Sequence, residues 1–292
     1  MILERWQQYL QDAEPTHSDC GIAWLADLAV VSFTGRDARA FLQGYLTCDT
    51  DHLSAGRLTP TALCNLQGRV VMNGWCAPME DQPDGGQTIC LVLHASLVER
   101  LTAFLRPYLM FSKTTATDLR EEAIVLASLD ADEPGGLILD ERRRLFPQTS
   151  VEGARKLWDA HPHITQERWL AALTADGYPL VSAPVSESFL PQMLDLQRLG
   201  AINFEKGCYL GQEVVARAQH RGRVKRRLAR LTWLGPAAPG PGAEITDDAG
   251  KARGIVLQSA HSTADGGPLL AVLSEQAADN LRQGDAHLSR VA

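Results

Sequence analysis

The sequence predicts an α+β fold followed by a small antiparallel β-barrel or sandwich. Three observations predict it. Over the first 220 residues, runs that alternate like strands interleave with runs whose apolar residues recur every three or four positions. Beyond Arg223 the chain becomes short strand-like runs separated by glycine- and proline-rich turns. Between these regions, residues 217–230 hold Arg217, Arg221, Arg223, Lys225, Arg226, Arg227 and Arg230 and no acid.

The elements follow in chain order. LAVVSFTG reads as a strand ending in a turn. In TGRDARAFLQGYLT, Ala38, Phe41, Leu42 and Tyr45 make one apolar stripe of an amphipathic helix. ALCNLQGRVVMNGWCAP reads as a hairpin turning at Asn65 to Gly68. TICLVLH has the composition of a buried strand. ASLVERLTAFLRPYL reads as a helix, with Ser96 and Glu99 in capping-box spacing and Pro107 marking its end. EAIVLASL is another strand, and TQERWLAALTADGYP a helix stopped by Gly177 and Pro179. In the tail, RLARLTWL, ARGIVLQSA and PLLAVLS read as strands. GPAAPGPGA, with three glycines and three prolines, is a loop.

At 292 residues, 45% hydrophobic and 22% charged, the chain has the composition of a soluble globular protein of roughly two domains. No stretch approaches 18 uncharged apolar residues, and the N-terminus lacks the apolar core of a signal peptide. The six cysteines, at 20, 48, 64, 76, 90 and 208, include no CxxC pair. That predicts reduced thiols in a cytoplasm and no structural metal site. The net charge is −7, so the part of the chain outside 217–230 carries −14. The basic segment is either a solvated strand and loop or a local field that holds a phosphate, a polyglutamate tail or RNA. No GxGxxG, P-loop, HExxH or GxSxG pattern occurs, and His161 and His163 read as a solvated loop pair.

The densest chemistry lies in EKGCYLGQEVVAR, 205–217. Good helix formers follow Gly211, which places Cys208 just before a helix start, with Lys206 two residues away. Both features favour the thiolate and predict a depressed thiol pKa. A small buried hydrophobe is the other reading of Cys208. Gly207 and Gly211 allow close backbone approach or positive φ. Tyr209 suits one wall of an aromatic ligand site, and Gln212 and Glu213 offer donors and acceptors to a ring edge.

KGCYLGQEVVARAQHRG resembles the signature of the folate-binding YgfZ family, related to the T-protein (aminomethyltransferase) of the glycine cleavage system and to mitochondrial iron–sulfur assembly factors. FLQGYLTCDT, ALCNLQGRVVMNGWC, YLMFSKTTATDL, WLAALTADGYPLV and FLPQMLDLQRLGAINFEKGCY resemble further family segments, so the likeness spans about 25 to 230 in order. It implies a three-domain ring around a central tetrahydrofolate: a discontinuous first domain (1–52 and 116–222), a ferredoxin-like second domain (53–115) and a C-terminal barrel (223–292). It also implies a role in assembly or repair of iron–sulfur enzymes, including tRNA-modifying ones.

The resemblance further implies flat folate contacts from Trp169 and Tyr209, and polar ones from Asn65 and Asn73. Arg217, Arg221 and Arg223 would form a basic rim, and Lys206 with Cys208 a functional pair. The family's second tryptophan position falls at Leu28, with Trp24 four residues earlier. Where the glycine cleavage relatives carry adjacent aspartates, this chain has Met72 and Asn73. Neither is a carboxylate, which counts against aminomethyl transfer. A folate-dependent one-carbon transferase and an RNA-binding module remain the alternatives. The implied partners are iron–sulfur client enzymes or assembly factors, with RNA contact possible through 217–230.

Overall fold

The computed structural model describes residues 1–11, 18–80, 85–131, 133–220, 224–277 and 280–291. The chain opens with α1 (Ile2–Gln11), β1 (Gly21–Trp24), β2 (Leu28–Gly35) and α2 (Ala38–Gln43). It continues through β3 (Thr59–Cys64), β4 (Val70–Pro78), β5 (Gln87–His94), α3 (Val98–Leu109) and β6 (Thr115–Asp118). Next come β7 (Ile124–Leu129), β8 (Leu137–Ile138), β9 (Arg143–Gln148), α4 (Val151–Asp159), α5 (Gln166–Ala175) and α6 (Gln212–His220). The tail is β10 (Arg226–Leu234), β11 (Glu244–Asp247), β12 (Ala252–Ser259), β13 (Gly266–Ser274), β14 (Leu281–Gln283) and β15 (Ala286–Arg290).

Two antiparallel sheets stack face to face. One has the order β3-β4-β5-β2-β6, the other β1-β7-β9-β8. The stacking follows from strands that are apolar on both sides. In β5, Ile89, Leu91 and Leu93 join a core with α2 and α3, while Cys90 and Val92 join a second core shared with the other sheet. In β7, Val125, Ala127 and Leu129 face that shared core. Ile124 and Leu126 face outward, onto Trp6 of α1 and Ala154 and Trp158 of α4. The two-residue period of each strand therefore sorts its side chains into different layers. The result is helices, sheet, sheet, helices. The five-stranded sheet crosses the domain limits expected at 52/53 and 115/116, because β2 lies between β5 and β6 and pairs with both.

The tail is a closed six-stranded antiparallel barrel, β10-β13-β12-β11-β14-β15, sealed by the β10–β15 pairing. Closure removes the sheet edges that a six-stranded open sheet would expose. One glutamine clasps the barrel to α5. The Gln258 amide donates to Thr174 Oγ1 and the Tyr178 carbonyl, and its oxygen accepts from Leu180 N–H.

Several local expectations are corrected. α3 runs through Pro107 to Leu109, since a proline near a C-terminus removes only one helical donor. Ser96 does not cap α3. Its N–H and hydroxyl both turn to His94 Nδ1, and its oxygen accepts the Ala183 N–H. His161 and His163 are half-buried and engaged rather than a freely solvated pair. His161 Nε2 meets Glu133 at 2.6 Å, and the His163 ring stacks on Trp158 at 4.1 Å.

Trp169 is corrected too. It is completely buried in the core between the sheets, and its indole N–H donates to the Ser128 carbonyl at 3.1 Å. It has no face left for a ligand. Trp169→Ala is expected to cost about 3–5 kcal/mol in urea unfolding, the range for truncating a buried large aromatic. A loss under about 1 kcal/mol would show that the indole is not the anchor it looks like.

Candidate functional site

The 203–211 segment is folded onto the end of α2. Asn203 Oδ1 accepts the N–H groups of Glu205 and Lys206 at 2.8 and 2.9 Å, turning the chain inward. The buried Lys206 ammonium then donates to the carbonyls of Gln43 (2.8 Å), Leu46 (2.9 Å) and Cys48 (2.7 Å). These carbonyls lie at and beyond the C-terminal end of a helix, where a cation is favoured. Burial pushes the lysine below its usual value, while charge at Cys48 and Asp49 pushes it back. Three carbonyl acceptors hold it protonated, because a neutral amine could not donate to all three.

The rest of the loop is fixed by the same end of α2 and by the β3–β4 hairpin. Leu210 N–H donates to the Gly44 carbonyl at 3.0 Å. The Lys206 ammonium stands 5.5 Å from the Tyr209 ring centroid. Tyr209 is buried, its hydroxyl has no partner, and burial raises its pKa, so the phenol stays protonated. Gly211 has φ +82°, and a Cβ there would lie 2.4 Å from the Asn65 carbonyl oxygen. Across the contact, Gly68 has φ +69°, and a Cβ there would meet Val214 at 2.9 Å. The motif and the hairpin thus pack backbone to backbone. Gly207 has open space around it.

The structure does not bring the expected ligand contacts together. Cys208 is exposed, at the outer turn of the loop. The Lys206 ammonium spends all three of its donors on carbonyls and makes no hydrogen bond to the Cys208 thiol. Asn65 is committed to its own turn: Oδ1 accepts the Gln67 and Arg69 N–H groups, and Nδ2 donates to Glu187. Asn73 is a buried clamp, donating to the Pro179 carbonyl and accepting Val181 N–H, both at 2.8 Å. Its neighbour Met72 is in the core. Gln212 is half-buried, and Glu213 and Arg217 are exposed at the start and end of α6. Arg221 and Arg223 lie outside the described residues.

Two features escape the sequence reading. The first is a buried thiol pair beneath Lys206, with Cys48 and Cys76 sulfurs 3.5 Å apart. A thiol hydrogen bond from Cys76 holds Cys48 below its usual value and Cys76 well above it. Residue spacing gives no sign of this pair, since a loop and a strand supply one cysteine each.

The second is a cavity of about 190 Å³ where the five-stranded sheet, α5 and the barrel meet. Asp27, His94, Thr174, Leu180, Ser182 and Gln258 are among its walls. The Ser182 hydroxyl is buried without a partner. His94 Nδ1 accepts from Ser96, so the ring proton sits on Nε2 and is free to donate. Burial lowers the His94 pKa. The only forward hint was local: a histidine ending a buried strand. Among the described residues no three His, Cys, Asp or Glu side chains are placed to hold a metal ion.

Three outcomes follow. Lys206→Ala leaves buried carbonyls without donors and is expected to cost about 2–4 kcal/mol, while exposed Cys208→Ala stays within about 0.5 kcal/mol; equal effects would contradict the geometry. Gly211→Ala combines positive φ with a backbone clash and is expected to lower the melting temperature clearly, with Gly207→Ala near wild type. For His94, the folded state disfavours the charged ring. Its contribution to stability is present above about pH 6.5 and is lost as pH falls through the lower folded value. Urea unfolding of His94→Gln should therefore show a shallower loss of stability from about pH 7 to pH 5 than the parent. A steeper loss would reverse the sign.

No protein-family model matches the chain. Curated relatives do. The tRNA-modifying protein YgfZ of Cronobacter sakazakii is 31% identical over 278 residues, covering 85% of this chain and 82% of that protein. Its counterpart from Escherichia coli O157:H7 is 32% identical over 248 residues, covering 76% and 74%. Among solved structures, the glycine cleavage system aminomethyltransferase T of Bartonella henselae superposes with a TM-score of 0.68 at 15% identity, covering 94% of this chain and 85% of that one. That likeness establishes the fold. At these identities and coverages, and with the KGCYLGQE loop seated on its hairpin, the chain belongs to the YgfZ family.

Proposed function

We propose that this protein is a folate-binding accessory protein that serves the assembly or repair of iron–sulfur enzymes, including tRNA-modifying ones. One observation carries the folate half: the cavity where sheet, α5 and barrel meet holds an orphaned buried hydroxyl and a neutral histidine with a free Nε2–H. These groups fit the polar edge of a fused heteroaromatic ring, and Leu180 lines the same space. The volume, about 190 Å³, is below that of sites enclosing a whole drug-sized ligand, roughly 300–1,000 Å³. It suits the ring end of tetrahydrofolate and leaves the remainder outside. When bound, tetrahydrofolate would supply nitrogens that carry one-carbon units. The chain's own part is to hold the ring through Ser182 and His94 and to keep water from it.

The expected set of Trp169, Asn65 and Asn73 has no part in this reading. Tyr209, Gln212 and Glu213 belong to the motif face and, with Cys208, form the surface offered to a client enzyme or assembly factor. Aminomethyl transfer is the weaker reading, since no carboxylate stands at Met72 or Asn73 and Asp27, at the cavity, is already engaged by Gln166. An RNA-binding role would rest on exposed Lys225, Arg226 and Arg227 at the start of the barrel.

Calorimetry with tetrahydrofolate tests the proposal. Ser182→Val and His94→Leu should each weaken binding about tenfold, or 1.4 kcal/mol. Cys208→Ala should leave binding unchanged while lowering the cluster content of client enzymes. No heat at about millimolar ligand, which is only some 4 kcal/mol of affinity, ends the folate reading.

A further inference from the structure

A larger cleft lies on the other side of α5, between that helix and the barrel strand β10. Its volume is about 640 Å³, within the roughly 300–1,000 Å³ of small-molecule sites. Three arginines and one aspartate line it: Arg142, Arg168, Arg230 and Asp176. Two of these charges are matched inside the protein. Arg142 forks onto Asp130 at 2.9 and 2.7 Å, and Asp176 is held by Arg142 at 3.1 Å and by Arg143 at 2.6 Å.

Among the described residues, the other two arginines are matched more weakly. Arg168 pairs with Asp19 at 3.3 Å, whose side chain is 97% exposed, so water and salt screen the pair; its charge is also felt by Asp130, which is already held by Arg142. The Arg168 Nε is buried without a hydrogen-bond partner. Arg230 makes one long contact, 3.5 Å to the Ala175 carbonyl. Guanidinium groups with unused donors beside a cleft are suited to a phosphate, which can take several N–H bonds at once.

The walls narrow the ligand further. Ala171 on α5 is small enough to leave room, and Ala171 and Pro268 give the lining apolar surface. Ser262 and Thr263 add hydroxyls at the barrel side. Arginines, apolar surface and hydroxyls in one cleft match a phosphate, a flat base and a sugar. We infer that the cleft between α5 and β10 binds a small phosphorylated ring compound of the nucleotide class, with Arg168 and Arg230 holding its phosphate. The site does not rest on the folate reading, since α5 separates it from the cavity of His94 and Ser182, with Thr174 bordering both.

The test is calorimetry on the full chain with AMP, adenosine and inorganic phosphate as separate probes. The expected result is AMP binding tighter than about 1 mM, with adenosine and phosphate each at least about tenfold weaker. Arg168→Gln and Arg230→Gln should each weaken AMP binding about tenfold. Ala175→Phe, a substitution at an exposed position on the cleft, should block AMP without unfolding the chain and without changing tetrahydrofolate binding. Several results overturn the inference: no AMP binding at about 10 mM, equal affinity for adenosine, indifference to both arginine substitutions, or loss of AMP binding on saturation with tetrahydrofolate. Binding of a short oligoribonucleotide without measurable AMP affinity also overturns it, in favour of an RNA surface.

Discussion

The ammonium of Lys206, bonded to the carbonyls of Gln43, Leu46 and Cys48, is the interaction around which the motif is organised. It joins segments some 160 residues apart. Through it, a loop with little apolar content of its own is fixed to the end of α2. The position of Tyr209 under the loop, the packing of Gly211 on the hairpin and the outward turn of Cys208 follow from that attachment. A lysine does this where an arginine would not, since a compact point donor can serve three carbonyls converging from one side.

The lysine is therefore a positioning residue. Its donors are directed at carbonyls, and it fixes the geometry in which the cysteine two residues away meets solvent. Beneath it lies the Cys48–Cys76 pair, which shares the field of the same ammonium but none of the exposure. Reactivity and burial are thus divided between two sets of thiols around one cation. An exposed thiol at the end of a constrained loop is suited to meeting a partner. A buried pair is suited to packing.

Much of the fold was legible because it rests on local periodicity. β2, β5 and the Asn65–Gly68 hairpin coincide with apolar runs and turn residues whose signals are complete within ten positions. The barrel was legible for the same reason. The site was less so. Trp169 has the residue type of a ligand wall and the environment of a core anchor, and only the sheet-on-sheet packing decides between them. Asn73 reads from sequence as a polar site residue, but its partners at 179 and 181 lie more than a hundred residues away. His94 and Ser182 carry no motif at all. Their significance arises where three parts of the chain meet, a place no spacing rule can describe.

The Gln258 clasp has a mechanical consequence. Its side chain takes partners from Leu180, Thr174 and Tyr178, and Leu180 and Thr174 also line the junction cavity. The barrel and the cavity wall are therefore fastened at a common rivet. The barrel cannot tilt without stretching bonds at the cavity, and the cavity cannot widen without pulling on the barrel. A single amide thus makes the interior void and the outer domain one lever, with its fulcrum at the end of α5.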